Sequence, residues 1–229
     1  MLREIVLDTE TTGLNAKAGD RLIEIGCVEL LDRRPTGLEY HAFIFPEDRD
    51  VHPDAEAIHG ISMKFLEGKP VFRDVADPFL AFIGSAPLVI HNAPFDVGFI
   101  NMELERLGRT PLANEIIDTL ALAKRKHPAG PNTLDGLCKR YGIDNSIRTK
   151  HGAIVDSLLL AEVYVELLGI KQSTLGLDQQ SNARTRAVQG TVNYGARPRP
   201  LKPRLSSTDR ERHAALVASL GPDAFWLKP

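Results

Sequence analysis

Two cysteines, Cys27 and Cys138, are all that this 229-residue chain contains. They match no zinc-ligand spacing and are too few for a disulfide framework, so a reducing, cytoplasmic setting is expected. Long apolar runs are also missing. The longest, FLAFIGSAPLVI at 79–90, is broken by Gly84, Ser85 and Pro87 and is too short to span a bilayer. The N-terminal MLREIVLD carries an acid within four residues and runs straight into a strand pattern, so no secretory signal is expected. There are no internal repeats. Nor is there an excess of positive charge, because the formal net charge is −2. Any nucleic-acid contact must therefore come from a local patch rather than from the average.

What is present is an ordinary globular composition, 43% hydrophobic and 25% charged, in a chain long enough for one full core with residues to spare. The charge is unevenly spread. Residues 178–205 hold six basic side chains (Arg184, Arg186, Arg197, Arg199, Lys202, Arg204) against Asp178, while 206–229 balance, which leaves about −7 on residues 1–177. An acidic globule is joined to a basic tail.

Hydrophobic periodicity predicts strands at 4–9, 22–31 and 38–46, the last two forming a hairpin through the turn DRRPTG. Residues 47–74 read as loop with short helical pieces, and 75–84 as a helix with Pro78 near its first turn. A short buried strand at 87–91 precedes a helix that Asn92 and Pro94 open and Gly108 closes, with Val97, Ile100, Leu104 and Leu107 on its core face. Further along, 115–117 reads as a strand, Asp118 as the cap of TLALAKRK, Asn132 as the start of TLDGLCKRYG, and 151–169 as the longest helix. This order gives an α/β fold with a mixed sheet flanked by helices. After Leu177 the periodicity fails, and the chain reads as a flexible linker until a last helical segment carrying Leu216, Leu220, Phe225 and Trp226.

The chemistry starts at LDTETTGL (7–14), where Asp8 and Glu10 end an apolar strand. Residues i and i+2 of a strand share a face, so the two carboxylates converge, and a hard divalent cation favours such oxygen donors. Alone, such pairs are common, and the plain structural reading is solvated strand-end acids capping Thr11 or Thr12 and the turn at Gly13. HNAPFDVGF places Asp96 in the first turn of a helix directly after a strand, although a carboxylate there also suits the helix dipole. HGAIVD supplies His151 and Asp156. A spacing of five splays them by roughly 140° on an ideal helix, so His151 is expected in the loop or first turn, with Asp156 pointing inward.

Together, DxE, HNAxFD and HxxxxD in this order resemble the three motifs of the DEDDh superfamily of 3′→5′ exonucleases, which has a ribonuclease H-like fold. Over about residues 3–169 the words LDTETTGL, LIEIGCVEL, LVIHNAPFDVGF, NTLDGLCKRYGIDNS and HGAIVDSLLLAEVY resemble more narrowly the proofreading epsilon-subunit family of bacterial DNA polymerase III. The resemblance implies two divalent ions, Mg²⁺ or Mn²⁺, held by Asp8, Glu10 and Asp156 with assistance from Asp96. It implies His151 as the proton acceptor for the attacking water and nucleoside 5′-monophosphates as products. It also implies that Thr11, Thr12 and Asn92 hold the terminal nucleotide of a single-stranded or frayed 3′ DNA end, with His59 near its sugar. Leu14 and Phe95 offer apolar surface to bases. His91 is expected to be structural, and Asp135 and Asp144 to be surface or turn acids.

The tail is expected to serve partners. QSTLGL (172–177) resembles the short peptides that dock in the bacterial sliding clamp, with Leu175 and Leu177 filling an apolar pocket and Gln172 fixing register. By the same resemblance the chain divides into an exonuclease domain (1–170), a clamp-binding peptide (171–178), a flexible basic linker (179–207) and a segment binding the polymerase alpha subunit (208–229). A small third core subunit and a nucleoid-associated location are implied as well. Two other readings stay open. A DEDDh enzyme trimming RNA or oligoribonucleotides shares the chemistry, but would need neither clamp peptide nor tail. A catalytically silent interaction module would usually lack one of the five site residues, and none is missing here.

Overall fold

The computed structural model describes residues 1–146, 148, 150–169 and 206–219. The clamp-like residues Gln172, Leu175 and Leu177, the linker up to residue 205, and residues 220–229 with Phe225 and Trp226 lie outside the described residues. The chain divides into two units, residues 1–176 and 177–229.

In the first unit a five-stranded sheet has the order β3-β2-β1-β4-β5. β1 (Arg3–Thr11), β2 (Leu22–Leu31) and β3 (Arg34–Phe43) form an antiparallel meander, and β4 (Leu88–Ile90) and β5 (Ile116–Asp118) add parallel to β1. This is the expected mixed sheet. The hairpin is tighter than the sequence predicts. Asp32 and Arg33 alone form the turn, both with positive φ (47° and 66°), so β3 begins at Arg34 and takes in Pro35 and Gly37. Two residues with positive φ match the right-handed twist of the paired strands, and an edge strand tolerates the proline.

Strand alternation sorts two apolar layers. Ile5 and Leu7 of β1 face α3 (Phe72–Ile83) and α4 (Ala93–Arg106). Val6 faces the opposite layer, α5 (Thr119–Lys126), α6 (Leu134–Tyr141) and α7 (Ala153–Leu167). Two short helices, α1 (Pro53–His59) and α2 (Met63–Leu66), are the short helical pieces expected within 47–74. Pro78 lies in the interior of α3, not at its start. The burial of Phe72, Val75, Phe79 and Ile83 along one face outweighs the lost backbone hydrogen bond. α4 buries Ile100 and Leu104 as expected, and Phe99 in addition. Thr133, not Asn132, caps α6, its hydroxyl accepting from the Gly136 amide at 3.2 Å. Asp118 caps α5 as expected.

α4 is tied to the start of β2 by a buried ion pair. Arg21 gives two hydrogen bonds to Glu103, at 2.7 and 3.0 Å, and reaches the Pro46 carbonyl and Asp48. Both cysteines are free and buried. No described helix is long and apolar enough to cross a membrane. In the second unit the described residues form α8 (Ser207–Ser219), where Leu216 is exposed.

Candidate active site

The C-terminal ends of the parallel strands β1 and β4 lie at one edge of the sheet, where loops and helix starts deliver side chains. Asp8 and Glu10 follow Val6 onto the face of α7, and Thr9 between them turns to the face of α4. There the Thr9 hydroxyl donates to Asp96 Oδ1 at 2.7 Å, which fixes the carboxyl that the first turn of α4 supplies. Asn92, at the turn from β4 into α4, takes φ of 67°, a left-handed geometry that asparagine tolerates. Its amide donates to Asp118 Oδ1 at 3.2 Å.

α7 brings the remaining members. Asp156 sits one turn into the helix and is buried, while His151 lies in the preceding loop with about half its side chain exposed. The His151 amide donates to the Ile58 carbonyl of α1 at 3.3 Å, pinning this loop beside His59. The start of α7 is held on β2 by Glu24, whose Oε2 accepts the Ala153 amide at 3.2 Å while its Oε1 meets His41 Nε2 at 2.7 Å. Gly26 allows the helix backbone to approach, and Ser157 donates to the Gly26 carbonyl at 3.0 Å.

Asp8, Glu10, Asp96, His151 and Asp156 thus line one cavity of about 630 Å³, together with Asn92. Ligand atoms of Glu10, His151 and Asp156 lie within 4.8 Å of one another. A second cavity of about 390 Å³ shares Glu10 and Phe95 with the first and is lined by Thr11, Leu14, Ile58 and His59. Thr12 lines neither. It is fully buried, and its hydroxyl accepts the Arg21 amide at 2.9 Å. His59 is buried, its Nδ1 accepting the Ile61 amide at 3.0 Å and its Nε2 without a hydrogen-bond partner. Burial also holds its pKa below the ordinary value. His91 contacts the Thr119 hydroxyl at 2.9 Å.

Burial and mutual repulsion act against ionisation of three of these acids. Burial, and then the neighbouring charges of Asp96, Glu10 and Asp156, push the Asp8 carboxyl well above the usual carboxylate range. Burial, with Glu24 and Asp156, raises Glu10 to about 8. Burial raises Asp96 too, although the Thr9 hydrogen bond opposes it. Carboxylates crowded this way fit a hard divalent ion, which would keep all of them ionised.

Because Glu10 binds its proton more tightly when folded, its contribution to stability is full below the ordinary value of 4.5 and is lost as pH rises through about 8. Asp8 and Asp96 shift in the same direction. The metal-free protein should therefore lose on the order of 5 °C in Tm between about pH 5 and pH 8, and saturating Mg²⁺ should remove most of that slope. Differential scanning calorimetry with and without chelator measures it. A flat metal-free profile would mean that the acids are not in conflict.

Two features were not legible in the sequence. Glu24 stands opposite Glu10 in the β1–β2 register, and an acid within LIEIGCVEL was the available signal. Arg148 gives hydrogen bonds to both oxygens of Asp156, at 2.5 and 2.6 Å, from an irregular segment with no periodicity to mark it. It also meets Asp135 at 2.7 Å, so that acid, exposed as expected, stands at the rim of the cluster as well.

The exonuclease family (RNase T) matches residues 5–164. The DNA polymerase III subunit epsilon of Rickettsia felis is 43% identical over 223 residues, taking in 96% of this chain and 97% of the relative. That of Escherichia coli K12 is 41% identical over 237 residues, 98% of this chain and 97% of the relative. Among solved structures, exonuclease X in complex with 5′ overhanging duplex DNA is 25% identical with a TM-score of 0.56, covering 78% of this chain and 98% of that one. Family membership and the acid cluster both support dependence on a divalent metal. The chain belongs to the DEDDh, RNase T-family 3′→5′ exonucleases and is homologous to the epsilon subunits of bacterial DNA polymerase III.

Proposed function

We propose that this exonuclease proofreads DNA, removing mispaired 3′-terminal nucleotides as nucleoside 5′-monophosphates. The observation that carries the reading is the meeting of four carboxylates and one histidine in a single open cavity, beside an apolar pocket. Asp8, Glu10 and Asp156 would hold two divalent ions, Mg²⁺ or Mn²⁺, with Asp96 assisting. When bound, such ions neutralise the phosphate and make water a competent nucleophile near neutral pH. His151, half-exposed in the lining of that cavity, would accept the proton of the attacking water. Leu14, Ile58 and Phe95 offer a base-stacking and apolar surface that tolerates any sequence, and His59, Thr11 and Asn92 contact the terminal nucleotide. Thr12 acts behind them, through Arg21 and the backbone.

Discrimination needs no reading of base edges. A mispaired terminus has already lost pairing and stacking, and so enters a single-strand site at a cost lower by up to a few kcal/mol. Residues 1–170 form the exonuclease domain in this reading. Gln172, Leu175 and Leu177, within 171–178, engage the sliding clamp. The linker at 179–207 tethers, and 208–229, which takes in all of α8 but Ser207, binds the polymerase alpha subunit. A small third core subunit completes the assembly. Two weak attachments on one tether raise the local concentration of nuclease at a primer end. The relatives' name, DNA polymerase III subunit epsilon, supports this polymerase-associated role.

The test is release of 5′-monophosphates from matched and 3′-mispaired primer–templates with Mg²⁺. Wild type should act faster on the mispaired end, and His151→Ala should be slower by roughly 10²–10⁴-fold, the range for losing a general base. Equal rates on both ends, or cleavage of RNA alone, would remove the proofreading role.

A further inference from the structure

Arg148 is the one cation that closely pairs with the acid cluster among the described residues, and its contacts are unusually demanding. Its Nε and Nη2 give a forked pair of hydrogen bonds to Asp156, at 2.5 and 2.6 Å. The same Nη2 lies 2.8 Å from His151 Nδ1. A guanidinium has no lone pair to offer, so the imidazole nitrogen must be the acceptor in that contact. One side chain thus engages both oxygens of a carboxylate suited to a metal and the lone pair of the imidazole that would take a proton. The Arg148 side chain is only 6% exposed, and Asp156 only 4%. The pair is therefore poorly screened, and a bidentate charge-assisted contact of this kind is strong. Nη1 is bonded to Asp135 at the same time, at 2.7 Å and at the more exposed rim, so the guanidinium keeps one carboxylate partner if it leaves Asp156.

We propose that Arg148 is a built-in lock on the acid cluster, holding Asp156 and His151 until a divalent ion takes its place. The inference rests on the reading of Asp156 as a metal ligand. One positive charge offsets only part of the repulsion among Asp8, Glu10, Asp96 and Asp156, whereas a divalent ion offsets more and bonds the oxygens directly. Loading of the ion therefore releases the guanidinium from Asp156, leaving it on Asp135, and frees His151 Nδ1 in the same movement. The device keeps the base engaged when no metal is present and couples its release to assembly of the site.

Two measurements on the full-length protein test it. In wild type, the side-chain Nε–H resonance of Arg148, followed in ¹⁵N-resolved NMR, should move on Mg²⁺ titration away from its carboxylate-bonded position. Separately, Arg148→Gln should bind Mn²⁺ roughly tenfold more tightly than wild type in calorimetry, because the ion no longer displaces a charged hydrogen-bonding partner. Arg148→Lys, which keeps the charge but loses the fork, should fall between them. Unchanged or weaker Mn²⁺ binding by Arg148→Gln, or an Nε–H signal that ignores Mg²⁺, overturns the lock. Should Arg148→Gln fail to fold, the wild-type NMR titration decides alone. Loss of Mn²⁺ affinity in Asp156→Asn with a neutral Arg148→Gln would remove the lock and keep the metal reading. No Mn²⁺ binding by wild type would remove both.

Discussion

Asp8→Asn should cut hydrolysis of a single-stranded 3′ end by three orders of magnitude or more, and should make the metal-free protein more heat-stable. Both effects follow from one arrangement. Asp8 is central to the acid cluster, with Asp96, Glu10 and Asp156 all near enough to oppose its ionisation. Ionised, it gives an oxygen donor that an amide replaces poorly, and metal-assisted stabilisation of a transition state is worth several kcal/mol, at about 1.4 kcal/mol per decade of rate. Without metal, the same charge is a cost to the fold. Asparagine keeps the shape and removes the charge, so at pH 8 the metal-free variant should melt several degrees above wild type, at about 3 °C per kcal/mol for a domain of this size. The sign reverses the usual effect of deleting a polar side chain, and pH checks it. As pH falls toward 4, wild-type Asp8 takes up its proton in the fold and the advantage should shrink. A variant that is inactive and also less stable at pH 8 would show that Asp8 is held by favourable contacts, not strained by its neighbours.

The sequence made the acids legible because their signals are local. Asp8 and Glu10 stand at i and i+2 of an apolar strand, and Asp96 follows a strand directly. His151 and Asp156 open a long periodic helix, with His151 before its first turn, as the splay of a five-residue spacing required. β2 matches its expected bounds because an apolar run bounded by turn residues admits one reading. What stayed hidden depends on tertiary contacts that no local pattern marks, whether the partner is 129 residues away or eight. Nothing near Glu24 announces that it will cap a helix starting at Ala153, and nothing near Arg148 says that Asp156 will sit within reach of its guanidinium. Thr12 shows the converse. Its motif position suggests a substrate contact, yet the fold buries it completely and its hydroxyl accepts the Arg21 amide. Pro78 and the turn DRRPTG depart from local propensity because tertiary burial outweighs it in one case and strand twist in the other.

Gly26 is the position where one methyl group should do most harm. It lies within β2, directly opposite Asp8 in the register, and its backbone is not in the left-handed region, so alanine meets no conformational penalty there. Space is the obstacle. A Cβ at this position would stand 2.3 Å from the Ala153 carbonyl carbon and 2.4 Å from the Ile154 nitrogen. These are backbone atoms of the first turn of α7, and no side-chain rotation relieves the clash. The contrast is Gly13, where the obstructing atoms belong to the Asp20 side chain. To reach ordinary contact, the start of α7 must move outward by about 1 Å, stretching the Glu24 cap and the Ser157 bond that hold it on β2. Asp156 and His151 travel with it, away from Asp8 and Glu10. Overpacking of this kind costs roughly 1–3 kcal/mol of stability, and a misplacement of about 1 Å costs on the order of 10²-fold in rate. Gly26→Ala should therefore fold, melt a few degrees lower, and lose on the order of a hundredfold in kcat/KM on single-stranded DNA. Ser157→Ala, which removes the hydrogen bond but leaves the helix in place, should lose far less activity. Near-normal kcat/KM in Gly26→Ala would mean that the approach of α7 to β2 does not set the geometry of the acids.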